Sequence, residues 1–584
     1  MSRSSASADS VLSIDVGTIN TRAALFDVVD GRYRFIASGT APTTVDAPYK
    51  DIGESVGIAL DRLQAITGRV IIGSDGSFII PTRIDGSGVD KIVATLSAGP
   101  PLKVIVLGLL EDLSLGSAHR IAETTYAKVV ESIGLNDPRN PAARIDTIIK
   151  HSPDLIIVAG GTNGGASQSV IQLLETVGLA GYLIPKEKSP EVLFVGNEAL
   201  QEEVKQIMGN IVSLNCAPNI RPTLSTERIS AVHIPLAKIV GKVRARRISG
   251  VQELDRWSEG KMLPSATAFG RIIRFLSKVY DPNKGVLGVD VGAGSTTIAA
   301  GFSGKLSLGV YPEYGLGSQL KDLLAHTSIN SISRWLHENT PRDYLQDYLY
   351  TKALYPASIP ATSEDLDIEH ALARQAMRLS IKRLAMEFSP PARRGDQGFL
   401  PSFEPILASG SVLTRAPSKG HTLLMLLDGI QPAGITTLVL DESHIISALG
   451  SAASINPALP VHVLETSAFV NLGTVISPLS NARVNTPILK VRMKADDGNE
   501  LELVVKQGSL ATLPLPIGQS AHLNLTPLQR TDVGMGGPGR AGRLKVVGGT
   551  LGIVFDARGR PIRLANDVVQ RREANRRWLI QLGG

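Results

Sequence analysis

The sequence is poor in cysteine, with Cys216 the single cysteine among 584 residues. One thiol cannot form an intramolecular disulfide or a metal site built from cysteines, and such a chain fits a reducing compartment. We therefore expect a cytoplasmic protein. Cys216 lies between an apolar stretch and a proline, which is typical of a small buried residue rather than a nucleophile.

The sequence also lacks an apolar run long enough to span a bilayer and lacks the features of a signal peptide. A strong excess of charge is missing too, because 60 basic and 54 acidic residues leave a net charge of +6. Over this length that excess does not indicate nucleic acid as a partner. At 43% hydrophobic and 20% charged residues the composition is that of a globular protein, and the length predicts three or four domains.

What the chain does contain is one motif written twice. Residues 11–21 read VLSIDVGTINT, and residues 286–296 read VLGVDVGAGST. Positions 11–24 and 286–299 are identical at seven of fourteen places. Each copy begins with a β-branched apolar run, which predicts a buried strand, then turns through glycine and resumes as a second strand. The sequence therefore predicts two related strand–turn–strand hairpins that open the two halves of the chain.

Both turns carry residues suited to binding phosphate. Glycine permits positive φ and lets main-chain N–H groups approach a ligand, and hydroxyl groups add donors for phosphate oxygens. The predicted nucleotide-binding residues of the hairpins are Asp15, Gly17, Thr18, Asn20, Thr21, Asp290, Gly292, Gly294, Ser295 and Thr296.

Asp15 and Asp290 are the candidate catalytic and metal-binding residues. Each follows the buried run of its copy, where a carboxylate could hold Mg²⁺, through water because this ion dehydrates reluctantly. In this hypothesis the two carboxylates orient the metal or the attacking water. The residue that activates the water is not identified by the sequence.

A third glycine-containing turn follows the second hairpin by roughly 120 residues. Residues 405–417 read PILASGSVLTRAP, which predicts a strand, a small-residue turn and a helix. Small residues leave room for a base or ribose, so Gly410 and Ser411 are predicted to contact the nucleoside.

Alternating strand and helix patterns continue through the chain. Repeated strand–helix units over 102–220 predict a doubly wound parallel sheet, and Pro- and Gly-rich turns after 460 predict a β domain. The predicted domains are a disordered tail over 1–10, a first lobe over 11–101, an inserted α/β domain over 102–220, the rest of the first lobe with the second lobe over 221–459, and a β-rich domain with a terminal basic helix over 460–584.

Several local predictions accompany this division. We expect a helix over 117–133, strands over 69–72 and 461–464, and a helix over 363–388 with a basic row that faces either nucleotide or solvent. The basic patch KVRARR over 242–247 is interpreted as a solvated face, with an acidic partner as the alternative. The loop GGTNGG over 160–165 lies between a strand and a helix, where an anion could bind.

Together these motifs resemble the two phosphate motifs and the adenosine motif of the actin/Hsp70/sugar-kinase superfamily. More closely, the chain resembles the glutamate mutase L family of methylaspartate mutase accessory proteins, which is unrelated to the mismatch-repair protein of similar name. The segments IDVGT from Ile14, LIIVAGGTNGG from Leu155, VGN from Val195 and VDVG from Val289 carry the resemblance. One departure is Asn163, where relatives commonly have Asp, which weakens any claim to a catalytic carboxylate in that loop.

The resemblance implies a mixed α/β fold with duplicated actin-like (ribonuclease H-like) lobes, an inserted Rossmann-like domain and one nucleotide in the cleft between the lobes. It implies ATP and Mg²⁺ as cofactors, slow ATPase activity and an accessory role, in which lobe closure reactivates a cobalamin-dependent mutase or acts on another protein partner. Two alternatives stay open: an actin-like scaffold or filament of the division or pilus type, and a small-molecule kinase.

Overall fold

A computed structural model describes residues 9–388 and 400–584 of the chain. Over these residues the fold is mixed α/β with four sheets and divides into two compact units. Of the described residues, unit 1 comprises 9–268, 309–312 and 447–459, and unit 2 comprises 269–308, 313–388, 400–446 and 460–584. Most of the predicted N-terminal tail, residues 1–8, lies outside the described residues. Among the described helices, none combines the length and apolar character needed to cross a membrane.

Unit 1 begins with a five-stranded sheet built around the first hairpin. The strand order is β10-β4-β1-β2-β3, in which β10 is the short strand Leu263–Pro264 and β1 pairs antiparallel with β2 and parallel with β4. Every residue of β1 except Asp15 is buried, as expected for an apolar central strand. The elements that open the chain are β1 (Val11–Val16), β2 (Asn20–Val29), β3 (Arg32–Pro42), α1 (Gly53–Thr67) and β4 (Lys91–Leu96).

A second sheet in unit 1 is entirely parallel, with the order β6-β5-β7-β8-β9. Its central strands, β5, β7 and β8, are short and largely apolar, and helices alternate with the strands along the chain. The elements of this region are β5 (Leu102–Leu107), α2 (Gly116–Ala122), β6 (Ala127–Ile133), α3 (Pro141–His151), β7 (Leu155–Val158), α4 (Gln168–Leu183), β8 (Glu191–Phe194), α5 (Gln201–Met208), β9 (Ser213–Cys216), α6 (His233–Arg247) and α7 (Val251–Trp257).

Unit 2 contains the second hairpin in an eight-stranded sheet, whose order is β13-β12-β11-β14-β15-β16-β22-β19. Its last three strands, β16 (Val470–Ser477), β22 (Ile553–Asp556) and β19 (Leu510–Leu513), come from the end of the chain. The elements that lead into this sheet and form its first half are β10 (Leu263–Pro264), α8 (Ser265–Val279), β11 (Gly285–Val291), β12 (Thr296–Phe302), β13 (Lys305–Tyr311), α9 (Leu320–His326), α10 (Ile329–Ser333), α11 (Arg342–Leu354), α12 (Ser363–Ala385), β14 (Phe403–Ser409), α13 (Ser411–Thr414), α14 (Lys419–Ile430), β15 (Gly434–Leu440) and α15 (Ile446–Ala452).

The last part of the chain divides its strands between two sheets. β16, β22 and β19 extend the eight-stranded sheet, and four strands form a separate antiparallel sheet of order β18-β17-β20-β21. Sheet pairing therefore crosses the predicted boundary at 460, because β16 pairs with β15. The domain limits stay a prediction. The elements are α16 (Ala458–Leu464), β16 (Val470–Ser477), β17 (Pro487–Ala495), β18 (Glu500–Lys506), β19 (Leu510–Leu513), β20 (Ser520–Pro527), β21 (Gly542–Val547), β22 (Ile553–Asp556) and α17 (Val568–Gln581).

Three local predictions are wrong. The helix expected over 117–133 ends at Ala122, and a strand follows from Ala127, because the β-branched and aromatic residues after 123 favour a strand that pairs with β5. The strand expected over 461–464 belongs to a helix. The strand expected over 69–72 is reduced to a single bridge between Ile72 and Phe78.

A buried ionic network joins α12, α14 and the C-terminal segment of unit 2. Arg374 Nε donates to Asp428 Oδ2 at 2.8 Å, and Arg558 Nη1 donates to Asp428 Oδ1 at 2.7 Å. Arg374, one of the basic residues of α12, is 1% exposed, so its side chain does not face solvent. Such a network holds its helices in one arrangement, since removal of one partner leaves a buried charge unpaired.

Next to this network lies a buried histidine, His370. Burial lowers the pKa of its imidazole to about 3, and the nearby positive charge of Arg374 acts in the same direction. The neighbouring groups that also face it are Asp367, His337 and His421, and burial lowers the pKa of His421 as well. His370 is therefore neutral in the folded chain at pH values where the unfolded chain is protonated.

We expect acidification to destabilise unit 2. Below pH 6.5, the ordinary pKa of histidine, His370 is protonated in the unfolded chain but stays neutral in the folded chain. The free energy of unfolding therefore falls as the pH drops from about 6.5 towards 3. At pH 5 the loss amounts to about 2 kcal/mol. Urea unfolding at pH 7 and pH 5 measures it, followed by the fluorescence of Trp335 and Trp578 in a Trp257→Phe background.

His370→Gln should remove most of this pH dependence. His326→Gln, which alters an exposed histidine of the same unit, is the matched control and should leave it intact. An equal pH dependence in wild type and His370→Gln would contradict the prediction.

Candidate functional site

The two predicted hairpins are present and have the same geometry. β1 and β2 pair from Val11↔Phe26 to Val16↔Thr21, and β11 and β12 pair in the equivalent register from Val286↔Gly301 to Val291↔Thr296. The turns also close in the same way, since the N–H of Gly17 donates to the Asn20 carbonyl at 2.9 Å and that of Gly292 to the Ser295 carbonyl at 3.0 Å. The sequence repeat is therefore a structural repeat.

In the first hairpin the Asp15 carboxylate is held by two hydroxyl groups. Thr95 Oγ1 donates to Asp15 Oδ1 at 2.6 Å, and Ser265 Oγ donates to the same oxygen at 2.9 Å. Arg22 Nη1 lies 3.9 Å from the other oxygen, Oδ2. The side chain is thus fixed at the carboxyl end of β1 with its charge partly compensated.

Sequence reasoning missed both Thr95 and Ser265. Thr95 lies on β4, which runs parallel to β1 and brings its own carboxyl end to the same edge of the sheet. The apolar run IVATL over 92–96, which has the composition of a buried strand, was the available signal.

Two of the predicted phosphate-binding hydroxyls are used inside the protein. Thr21 is fully buried, and its Oγ1 lies 3.0 Å from both Thr43 Oγ1 and Ser55 Oγ. Thr296 is also fully buried and donates to the Tyr314 carbonyl at 2.8 Å. These side chains fasten each hairpin to its neighbouring segment, so they are not oriented towards a ligand.

The other predicted hairpin residues lie at the turns. Thr18, Asn20, Gly292 and Gly294 are half-buried, and Ser295 is buried. The N–H groups of Gly17 and Gly292 already close their turns, which leaves the remaining atoms of the turns as the candidates for contact with a ligand.

In unit 2 the structure brings the Ser409–Ser411 turn next to the second hairpin. β14 runs parallel to β11, and Ser409 is the register partner of Asp290. Gly410 has φ +109, and a Cβ built on it would lie 2.2 Å from the Val291 carbonyl oxygen. Only glycine permits this approach, so the turn packs directly against the end of β11.

A third parallel strand adds residues that sequence reasoning did not assign to the site. Asp441 directly follows β15, and its N–H donates to the Ala408 carbonyl at 2.8 Å. Its carboxylate lies 3.5 Å from Ser409 Oγ and accepts the N–H of Ile445 at 2.9 Å. The available signal was a carboxylate directly after an apolar strand, because parallel strands bring their carboxyl ends to the same edge of a sheet.

His444 lies beside the same turn. Its Nδ1 is 3.4 Å from Ser409 Oγ, and its Nε2 is 3.1 Å from Thr414 Oγ1. The imidazole therefore links the start and the end of the segment that carries Gly410 and Ser411.

The carboxylates suit a magnesium ion that also binds phosphate. Among residues 9–388 and 400–584, no three His, Cys, Asp or Glu side chains gather as a metal cage. Mg²⁺ is usually bound by one or two carboxylates together with water and substrate phosphates rather than by an all-protein cage. A single aspartate in each hairpin, half-buried at the end of a strand, fits that mode.

Comparison with known proteins finds a matching family. The family described as MutL protein matches residues 11–468. The protein called Protein MutL from Clostridium tetanomorphum is 22% identical over 417 residues, which is 66% of this chain and 87% of that protein.

Solved structures match at low similarity. Nucleotide-free acetone carboxylase, from a study of ATP-dependent acetone carboxylation, is 12% identical, with 85% of this chain and 81% of that chain covered and a TM-score of 0.30. The ethanolamine utilization protein EutJ from Carboxydothermus hydrogenoformans is 10% identical, with coverage of 77% and 89% and a TM-score of 0.24.

We expect Gly410→Ala to destabilise unit 2. The new Cβ would meet the Val291 carbonyl at 2.2 Å, and φ +109 disfavours alanine, so the end of β11 must shift. A loss of about 2 kcal/mol or more is expected, measured by urea unfolding.

Gly518→Ala is the matched control, because Gly518 has φ +81 in the same unit but no atom within 4 Å of a built Cβ. Gly518→Ala should cost about 1 kcal/mol, because alanine is disfavoured at a positive φ but its Cβ would collide with no other atom. An equal loss of unfolding free energy in the two variants would mean that the contact between Gly410 and β11 does not contribute to stability.

Proposed function

The chain belongs to the MutL protein (glutamate mutase L-like) family, and from this membership we propose that it binds ATP with Mg²⁺ and serves as an accessory protein for a cobalamin-dependent mutase. The observation that carries the proposal is the pair of hairpins with equal register, each with an aspartate at the end of its first strand. The position of the Ser409–Ser411 turn beside the second hairpin supports it further.

The proposed contacts follow from the atoms that are not used internally. Each turn binds phosphate through its own main chain, over 17–21 in unit 1 and over 292–296 in unit 2, with Thr18, Asn20 and Ser295 adding side-chain donors. Gly410 and Ser411 contact the nucleoside, since the absence of a side chain at Gly410 leaves room for it. Gly17, Gly292, Thr21 and Thr296 shape the turns instead, because their polar groups already have partners.

The two aspartates have the same proposed role. Asp15 and Asp290 orient the water shell of the metal or the water that attacks the γ-phosphate. When bound, Mg²⁺ neutralises phosphate charge and stabilises the charge that develops during transfer. Little covalent chemistry is asked of the protein, so the rate derives from positioning and charge neutralisation, and slow turnover is expected.

The accessory role is proposed from the family. In the cytoplasm, a nucleotide-dependent conformational change of this chain would act on a mutase whose cobalamin cofactor has been damaged. The protein named Protein MutL supports the assignment to the family, and the identity of the mutase is left to experiment.

We expect Asp15→Asn and Asp290→Asn each to reduce ATP turnover by about 100-fold or more, because each removes a charge that orients metal or water without changing side-chain size. Steady-state ATPase assays with Mg²⁺ and calorimetric titration of ATP measure the two effects separately.

Asp30→Asn is the matched control, since Asp30 lies exposed at the turn between β2 and β3 of the same sheet as Asp15. It should behave as wild type. A variant of Asp15 or Asp290 with wild-type binding and turnover would remove that carboxylate from the site.

We expect tagged protein to co-purify with a cobalamin-dependent mutase from its own cell extract, with different yields in ATP and in ADP. Mass spectrometry identifies the partner, and ATPase assays test whether the partner stimulates turnover. Asp290→Asn, which is expected to lose ATP turnover, serves as the control.

Other results would favour another function. ATP-dependent sedimentation of the purified chain would favour a filament, and phosphate transfer from ATP to an added sugar or acid would favour a kinase. Absence of any nucleotide binding would contradict the proposal altogether.

A further inference from the structure

Unit 1 contains a buried arginine without a counter-charge. Arg244 on α6 is 1% exposed, and within the described part of the chain neither Nη1 nor Nη2 has a hydrogen-bond partner. Burial lowers the pKa of its guanidinium to about 10, which still leaves it protonated at neutral pH. A buried, uncompensated positive charge is costly, so its presence calls for an explanation.

The other basic residues at this end of α6 are all paired. Lys242 lies 3.0 Å from Glu191, Arg246 pairs with the same buried carboxylate, and Arg247 pairs with Asp154. The side chains of Lys242, Arg246 and Arg247 are 45–50% exposed, so the interpretation of this patch as a solvated face holds for these three, which also neutralise carboxylates of the parallel sheet. Arg244 differs in that it points to the other side of the helix.

On that side Arg244 contacts the loop that follows β4. Gly99 has φ +93, and a Cβ built on it would lie 2.5 Å from Arg244 Nη1. The same loop is bonded to the first hairpin, since the N–H groups of Ser97 and Ala98 donate to the Val16 carbonyl at 2.9 and 3.2 Å. One short loop thus separates the guanidinium from Gly17.

We infer that Arg244 is a positioning residue of the first hairpin, whose buried positive charge acts through the 97–99 loop to favour a polyphosphate ligand there. The inference rests on the proposed function and adds a positive charge, because the turn residues 17–21 carry none. A polyphosphate bound at residues 17–21 supplies the counter-charge that the guanidinium of Arg244 lacks in the ligand-free chain. Because protein rather than water lies between them, the attraction is stronger than between exposed groups.

The electrostatic origin gives the inference a signature. The contribution of Arg244 should grow with the number of phosphate charges on the ligand and should vanish for an uncharged nucleoside. A purely structural role of Arg244 would weaken ATP, ADP and adenosine to the same extent.

The experiment compares full-length wild type with Arg244→Met and Arg244→Lys. Calorimetric titration with ATP, ADP and adenosine, the nucleotides with Mg²⁺, gives the affinities, and thermal unfolding without ligand gives the stability. For Arg244→Met we expect ATP to bind about tenfold or more weaker, ADP to lose less, and adenosine to stay within about twofold of wild type. Its melting temperature should not fall, because an unpaired charge is replaced by an apolar chain of similar length.

Two further variants complete the test. Arg244→Lys keeps the charge and should recover most of the ATP affinity. Arg247→Met, one turn away, is the matched control: it leaves Asp154 unpaired, so the melting temperature should fall while relative affinities for the three ligands stay as in wild type.

The outcomes separate the inference from the proposed function. No binding of any nucleotide to wild type would overturn both. Binding to wild type with an equal loss for all three ligands in Arg244→Met, or with no loss at all, would overturn the inference alone. So would a marked fall in the melting temperature of Arg244→Met, or Arg244→Lys behaving like Arg244→Met.

Discussion

The structure depends on a strand that is paired on both sides and ends in a carboxylate. β1 lies between an antiparallel partner and a parallel neighbour, and β11 repeats this arrangement. Main-chain pairing on both sides fixes where each first strand ends. Asp15 and Asp290 therefore occupy equivalent positions, although they lie 275 residues apart. Each also faces a hydroxyl residue on its parallel neighbour, Thr95 or Ser409.

Polar side chains in the interior follow two different rules. In unit 2 the buried charges of Arg374, Asp428 and Arg558 compensate one another, so they serve to join α12, α14 and the C-terminal segment. In unit 1 Glu191 and Asp154 are compensated in the same way, whereas Arg244 is not. Compensated charges hold a fold together, and an uncompensated one is better explained by a ligand.

Much of this could be predicted from the sequence because it depends on local pattern. The apolar runs and glycines of both hairpins gave their strands and turns, and the strand before Gly410 was located correctly. Contacts between distant segments could not be predicted. Thr95 and Ser265 reach Asp15 across 80 and 250 residues, and no local pattern encodes that proximity. The hydroxyls of Thr21 and Thr296 were misjudged for the same reason, since their partners come from other segments.

The continuation of the eight-stranded sheet past residue 460 has a practical consequence. β16 begins at Val470, just after the family match ends at residue 468, and it covers the flank of β15. A chain truncated at the end of the family match would leave β15 with a row of unsatisfied main-chain groups, a template for association with other chains. Residues beyond the family match are therefore part of the minimal folding unit for expression and crystallisation, rather than an appendage that can be trimmed.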